Sequence, residues 1–217
     1  MLRKRAFGAR AAKAVSGGQS RERMVAVVLH HPERRGKFYR MATEKDLQVF
    51  QEAARYLSEK RQKLMEQWGF DPVPDEPIPL MSGTFNVPLY VMNTWGSLFN
   101  ARQKLALITF TEKVRQAYQK MIDKGYDKEY VKAVVTYLGL LLTRIVDFTC
   151  NLARWKPDAE AVVQGLTRQA IAMVYDYTEN NTICDSAGTW KSLLDRILKV
   201  IFNLTQIPFV VSLEVKR

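Results

Sequence analysis

Four prolines in nine residues, DPVPDEPIP from Asp71 to Pro79, constrain this chain more than any other stretch. Proline lacks a backbone N–H and its ring collides with the preceding turn, so no helix continues through the segment and no central strand does either. The chain is therefore expected to divide around a Pro-rich linker at 71–80. On the near side Leu47, Phe50, Ala54, Leu57, Leu64 and Trp68 recur at spacings of three and four, behind Thr43 and Asp46. That spacing predicts one capped amphipathic helix of about six or seven turns, closed by Gly69.

Ahead of this helix, MVAVVLHH (Met24–His31) and KFYRMA (Lys37–Ala42) flank PERRG and read as strand, turn, strand. Two strands alone are marginal, so this hairpin needs a further partner. Residues 1–23 read as a basic flexible arm, and 24–70 as hairpin plus long helix. Beyond the linker, 81–217 reads as a helical domain. Asn100 with Gln103 predicts a cap for a helix to Asp123, closed by Gly125, and Asp127 opens another predicted to reach Trp155 before Pro157. A shorter helical stretch is expected within 158–179, and a further helix over 190–204. IPFVVSLEVKR alternates Phe209, Val211, Leu213 and Val215, the pattern of a strand. The expected class is mainly α with a small β component: an N-terminal β-hairpin, a long amphipathic helix, then a helical bundle and a C-terminal strand.

Charge is unevenly placed. Residues 1–40 hold eleven Lys/Arg against Glu22 and Glu33, so +9 of the formal +11 lies there. Such a segment neutralises phosphates and releases counterions, which points to DNA. The densest apolar run, Ala133–Leu142, is too short for the ~20 residues that span a bilayer, so no membrane partner is expected. Cys150 and Cys184 are the only cysteines, far from any CxxC spacing, which suggests a reducing, cytoplasmic setting and no zinc site. His30 and His31 are neighbours in a predicted strand and point to opposite faces, a poor metal pair. No Gly-rich phosphate loop and no GxSxG nucleophile turn occurs.

Thr143, Arg144, Asp147, Asn151 and Arg154 recur at helical spacing along the central predicted helix and form a polar stripe. Arg144 and Asp147 are placed to satisfy each other, or to contact a partner. Arg168 could pair with Asp176 or fork onto a phosphate. DSAGTW (Asp185–Trp190) is a polar turn before a helix, where an anion near Ser186 and Gly188 and a simple cap are both open readings.

NVPLYVMNTW (Asn86–Trp95) carries Asn86, Pro88 and Tyr90, the residue types with which amino-group DNA methyltransferases hold a target amine and stack on an extruded base, but with one residue too many. Taken in order, YVMNTWGSLFNARQKLAL (Tyr90–Leu107), TRIVDFTCNLARW (Thr143–Trp155), RQAIAMVYDYTEN (Arg168–Asn180) and DSAGTW resemble the middle of the adenine-specific DNA methylases that contain a zinc ribbon. The resemblance runs from about Met24 to Trp190 and includes Trp95, Gly96, Arg102, Gln103, Asp147, Arg154, Trp155, Arg168, Asp176, Gly188 and Trp190. It departs at Val91, where the family has glycine, and lacks the zinc-ribbon cysteines. The family's cofactor glycines lie upstream of this region and its catalytic Asp-Pro-Pro-Tyr downstream, so NVPLY aligns with neither.

The resemblance implies a helical insert of a methylase of the restriction-modification kind, not catalytic alone. S-adenosylmethionine is implied only for the complete family enzyme, with no cofactor or metal in this chain. The expected function is an accessory or DNA-recognition module. Its candidate nucleic-acid-binding residues are Arg3, Lys4, Arg5, Arg10 and Lys13 in the arm, with Arg102, Arg144, Asn151, Arg154 and Arg168 as a second surface. Two alternatives stand beside it: a structural subunit that binds a methylase catalytic subunit or separate methylase halves, and a degenerate or active methyltransferase.

Overall fold

The computed structural model describes residues 5–16, 19–31, 33–81, 83–167 and 169–207. In chain order the elements are β1 (Arg5–Ser16), β2 (Gln19–His30), β3 (Lys37–Met41), α1 (Glu44–Trp68), α2 (Ala101–Asp123), α3 (Lys128–Phe148), β4 (Arg154–Lys156), β5 (Ala161–Val163), β6 (Asp176–Thr178) and α4 (Trp190–Gln206). Short 3-10 turns lie at Val87–Tyr90, Trp95–Leu98 and Pro157–Ala159. The protein is mainly helical with a small β component.

The hairpin expected between Met24 and Ala42 is β2–β3, in register from Ala26 opposite Met41 to His30 opposite Lys37. Its missing partner comes from the leader. Arg5–Ser16, inside the stretch read as a flexible arm, is a strand paired along β2, and β6 pairs on its far side to give the order β3-β2-β1-β6. An unpaired edge on β2 would leave a row of open N–H and C=O groups, which pairing with β1 satisfies. The register of β1 with β2 runs from Arg5 opposite His30 to Ser16 opposite Gln19.

Helices α1 and α2 and the start of α3 follow the sequence closely because their end signals are local. Thr43 opens α1 with a capping box, and Gly69 closes it in the left-handed conformation with its N–H on the Met65 carbonyl. Asn100 and Gln103 cap α2 reciprocally, and the Asp127 side chain accepts the Tyr130 N–H at the start of α3. α1 packs on α2, α2 on α3 and α3 on α4. The prolines stop α1 as expected, but 71–80 is a packed strap and not a spacer. Leu64 of α1, Val73 of the strap and Ile108 of α2 share one buried cluster, and the Pro74 carbonyl accepts the Gly96 N–H at 2.9 Å.

Two expected helical stretches are absent. The central helix stops at Phe148, not Trp155: the Asp147 carbonyl takes the Gly165 N–H at 3.0 Å, while the Asn151 N–H, which a continuing helix would send to Asp147, goes to the Leu98 carbonyl at 2.7 Å. Arg154 to Lys156 then pair with Ala161 to Val163 as a small ribbon. Within 158–179 there is β5, irregular chain and β6, because the backbone groups find distant partners. Ile171 donates to Thr84 at 2.7 Å and accepts from Asn86 at 3.2 Å, and Thr178 donates to Ala153 at 2.9 Å. The C-terminal strand expected over Phe209–Val215 lies outside the described residues, whose last element is α4.

The largest buried apolar cluster is made by connecting segments. Ile78, Val87, Met92, Leu98, Cys150, Leu152, Ala153, Val162 and Ile171 pack together, with Gly165 so close to Cys150 that a Cβ there would lie 2.5 Å from its sulfur. A second cluster, Leu141, Ile145, Phe148 and Leu193, joins α3 to α4, and Phe110 of α2 stacks on Trp190 at 4.9 Å.

Arg40 of β3 forks onto the Asp46 carboxylate at 2.6 and 2.8 Å, while Asp46 also accepts the Thr43 N–H at 2.9 Å. The Arg40 hydrogen bonds hold the Asp46 carboxyl well below its ordinary value of 3.8. A carboxyl depressed in the folded state stabilises above its unfolded value, and that contribution disappears as pH falls below 3.8. Asp46→Asn is therefore expected to lower stability at neutral pH and to shrink the loss below about pH 4. Urea unfolding from pH 7 to 2 checks this, and an acid limb identical in both proteins would contradict it.

Candidate functional site

Four distant pieces of chain meet in one polar cluster, buried at Asn100, Asn151, Tyr177 and Glu179 and exposed at Glu22. Asn100, held at the N-terminus of α2 by its capping box, donates from Nδ2 to the Tyr177 hydroxyl at 3.0 Å and to the Glu179 carboxylate. Tyr177 donates to Glu22 Oε2 at 2.9 Å, and Asn151 Nδ2 donates to Glu22 Oε1 at 3.2 Å. Arg102, two residues along α2 from the cap, pairs with Glu179 at 2.6 Å and lies 5.1 Å over the Phe50 ring. β2, α2, the end of α3 and β6 are thereby tied together.

The electrostatics follow from burial. Burial pushes the Glu179 carboxyl up, while Arg102 and the Asn100 amide pull it down. The Tyr177 phenol is also raised, first by burial and then by the carboxylates of Glu22 and Glu179. It therefore remains a neutral donor at physiological pH. The Cys150 thiol, pushed up to about 11 by burial, is an inert core group and no nucleophile.

Beside the cluster opens a cavity of about 520 Å³, within the size range of small-molecule sites. Met24 and Val27 of β2, Ala53 of α1, Leu105, Ala106 and Phe110 of α2 give it apolar walls. Arg102, Gln103, Thr149, Glu179 and Asn180 supply the polar part. Among the described residues, no group of three His, Cys, Asp or Glu is placed to hold a metal ion.

The sequence-predicted contact residues do not form one surface. Arg3, Lys4 and Arg168 lie outside the described residues. Arg5, Arg10 and Lys13 fall on β1. Arg102 is matched by Glu179, and Arg144 by Asp147 at 2.9 Å with its guanidinium 5.7 Å from the Phe148 ring. Asn151 is 2% exposed and bonded to Glu22, a place no nucleic acid reaches. Arg154 is exposed on β4. Because α3 ends at Phe148, the predicted polar stripe breaks after Asp147. Asp147 instead holds the backbone together, its carboxylate accepting the Leu166 N–H at 2.8 Å.

NVPLY is a structural turn. Asn86 precedes a 3-10 turn in which Val87 is fully buried, and Tyr90 meets Tyr175 edge to face at 5.7 Å. Val91 closes the turn at φ +67, a left-handed conformation that a β-branched residue adopts only under constraint. The DSAGTW turn is likewise a cap: the Thr189 side chain accepts the Ser192 N–H, and Asn180 Nδ2 donates to the Gly188 carbonyl at 2.9 Å.

Sequence reasoning missed Glu22, hidden in the basic leader, and the roles of Tyr177, Thr149 and Asn180. The signal available was the polar run TENNT (Thr178–Thr182) directly after an aromatic, too ordinary a pattern to place without its partners. The fold and site define a helical scaffold with a four-stranded sheet and a mixed polar and apolar cavity between them. Comparison with known protein families, with curated proteins and with solved structures finds no match to this chain.

Two substitutions test this geometry. Arg102→Leu leaves Glu179 buried without its countercharge and is expected to cost about 3–5 kcal/mol, whereas Arg144→Leu, at a side chain 50% exposed, is expected to cost about 1 kcal/mol or less. Equal losses in denaturant unfolding would show that the two pairs are not differently buried. Val91→Gly removes the left-handed penalty and is expected to stabilise by about 1 kcal/mol; a lower melting temperature would contradict that.

Proposed function

We propose that the chain is a non-catalytic DNA-recognition or accessory module related to the adenine-specific DNA methyltransferases. The observation that carries this reading is the placement of the basic leader in a sheet. Residues 1–40, with +9 of the chain's charge, include β1, β2 and the start of β3. β3 pairs with β2 only from Ala26 to His30, and β6 pairs with β1 only from Arg10 to Ala12. Among the described residues, the end of the ribbon from Lys13 to Ser16 and Gln19 to Glu22 therefore has no third strand beside it. A two-stranded ribbon fits the major groove of duplex DNA, and a basic one brings counterion release with it.

This reading shifts the contact surface from Arg102, Arg144 and Asn151, which serve the interior, to the open end of the ribbon that carries Lys13 and Arg21, with Arg10 on the adjoining stretch of β1. The sequence resemblance supplies the methylase connection. Of the residues that carry it, Asp147 and Gly96 hold packing contacts, which suits an insert that supports recognition while methyl transfer occurs elsewhere. Transfer of labelled methyl groups from S-adenosylmethionine to an oligonucleotide by the purified chain alone would overturn it.

A second reading, a structural subunit for methylase halves, is favoured by α4, where Leu198, Val200, Phe202 and Leu204 are all more than half exposed. A tight complex with a separately encoded methylase catalytic subunit, insensitive to salt, would select it.

For the preferred reading, duplex affinity is expected to fall steeply with salt. Neutralising Arg10, Lys13 and Arg21 together by glutamine should flatten the log–log salt slope by about 0.9 for each phosphate that is no longer neutralised. Fluorescence anisotropy between low and moderate salt measures this. A slope unchanged in the triple variant would remove the ribbon from DNA binding.

A further inference from the structure

We infer that Glu22 is a positioning residue: its carboxylate fixes the direction in which the basic β1–β2 ribbon leaves the sheet, and with it the fit of that ribbon to duplex DNA. The inference rests on the duplex-binding reading above.

The ribbon needs such a device because its own ladder does not supply one. Strand β6 supports β1 only as far as Ala12, which faces Arg23 of β2. The next row, Lys13 opposite Glu22, is the first without a third strand among the described residues. Just below that row the register of β1 on β2 shifts between Arg10 and Ala11, as it also does between Phe7 and Ala9. A shift of this kind interrupts the ladder and bends the strand. Two strands alone beyond a bend have little to hold their direction.

Glu22 stands at that point. Its Oε2 accepts the Tyr177 hydroxyl at 2.9 Å, a bond that passes from β6 to β2 with β1 between them. Its Oε1 accepts Asn151 Nδ2 at 3.2 Å, from the segment that follows α3. Both donors are themselves fixed. The Tyr177 hydroxyl accepts Asn100 Nδ2 at 3.0 Å, which leaves its proton for Glu22, and the Asn151 N–H is held by the Leu98 carbonyl at 2.7 Å. Tyr177 and Asn151 are 1% and 2% exposed, whereas Glu22 is exposed. The carboxylate therefore ties the start of the open ribbon to two points of the interior, one in the sheet and one beside the helices.

Charge separates this role from a surface acid's. A carboxylate on a strand offered to phosphates repels them, so a Glu22 with no other task lowers duplex affinity and its removal raises it. A positioning Glu22 gives the opposite sign, because a ribbon already held in its bound direction loses less freedom on binding.

The test compares Glu22→Ala with Glu22→Gln in the full chain. The two variants carry the same net charge, but only glutamine keeps a side-chain oxygen to accept a hydrogen bond. By fluorescence anisotropy with a mixed-sequence duplex, Glu22→Ala is expected to bind about threefold or more weaker than Glu22→Gln, with the same salt slope. Equal affinities, or tighter binding by Glu22→Ala than by the wild-type chain, overturn the inference. A second readout needs no DNA. Nitroxides at Ser16→Cys on the ribbon and Arg55→Cys on α1 report the ribbon's direction by pulsed electron resonance, since Arg55 is 64% exposed and Cys150 and Cys184 are buried. Adding Tyr177→Phe or Glu22→Ala is expected to broaden the distance distribution at unchanged helical content. A distribution as narrow as that of the labelled parent overturns the inference and leaves duplex binding in place. Broadening in a chain that binds no duplex sustains the clamp and removes the DNA reading alone.

Discussion

The backbone switch at Asp147 is the constraint on which the rest depends. Its carbonyl accepts from Gly165 and its carboxylate accepts from Leu166 while pairing with Arg144, so one residue anchors the returning chain through both main chain and side chain. The Asn151 N–H, released from the helix, reaches Leu98 just before the start of α2. The chain leaving α3 is thereby pulled across the end of α2, and no helical continuation competes, because both the donor and the acceptor of the Asn151-to-Asp147 bond it needs are engaged elsewhere.

That switch decides what the interior is built from. Leu98, Cys150, Leu152 and Ala153 become core residues of a cluster made by connecting segments, with Gly165 admitted only because it has no Cβ. The helices then act as a frame, and the sheet is joined to them through Glu22, Tyr177 and Asn151. Polar groups buried at such a junction are specific because each has few geometric solutions, and costly if one partner is removed. The cavity lies where this frame and sheet meet, which is why its walls combine apolar side chains from α1 and α2 with amides from the 178–183 segment.

The basic residues divide by the same logic. Arginines on helices, Arg102 and Arg144, have carboxylates within reach and serve packing. Residues 1–40 hold eleven Lys/Arg against Glu22 and Glu33, and of these Arg40 is held by Asp46 at 2.6 Å.

The sequence by itself determined every element whose ends are set by local chemistry. Thr43 with Asp46, Asn100 with Gln103, Asp127, Gly69 and the prolines of 71–79 placed α1, α2 and the start of α3, and the runs on either side of PERRG placed β3 and the part of β2 from Met24 onward. Tertiary structure decided the remainder. That Arg5–Ser16 is a strand, that α3 stops at Phe148 and that 158–179 is not helical depend on hydrogen bonds between residues far apart in the chain. Asp147 was legible as a partner for Arg144, but not as an anchor for Gly165 and Leu166. Glu22, Tyr177, Thr149 and Asn180 have no local spacing in common, so their meeting is a product of the fold alone. Caps and periodicity are properties of neighbouring residues, whereas a pocket is a property of distant ones, and only the folded chain brings those together.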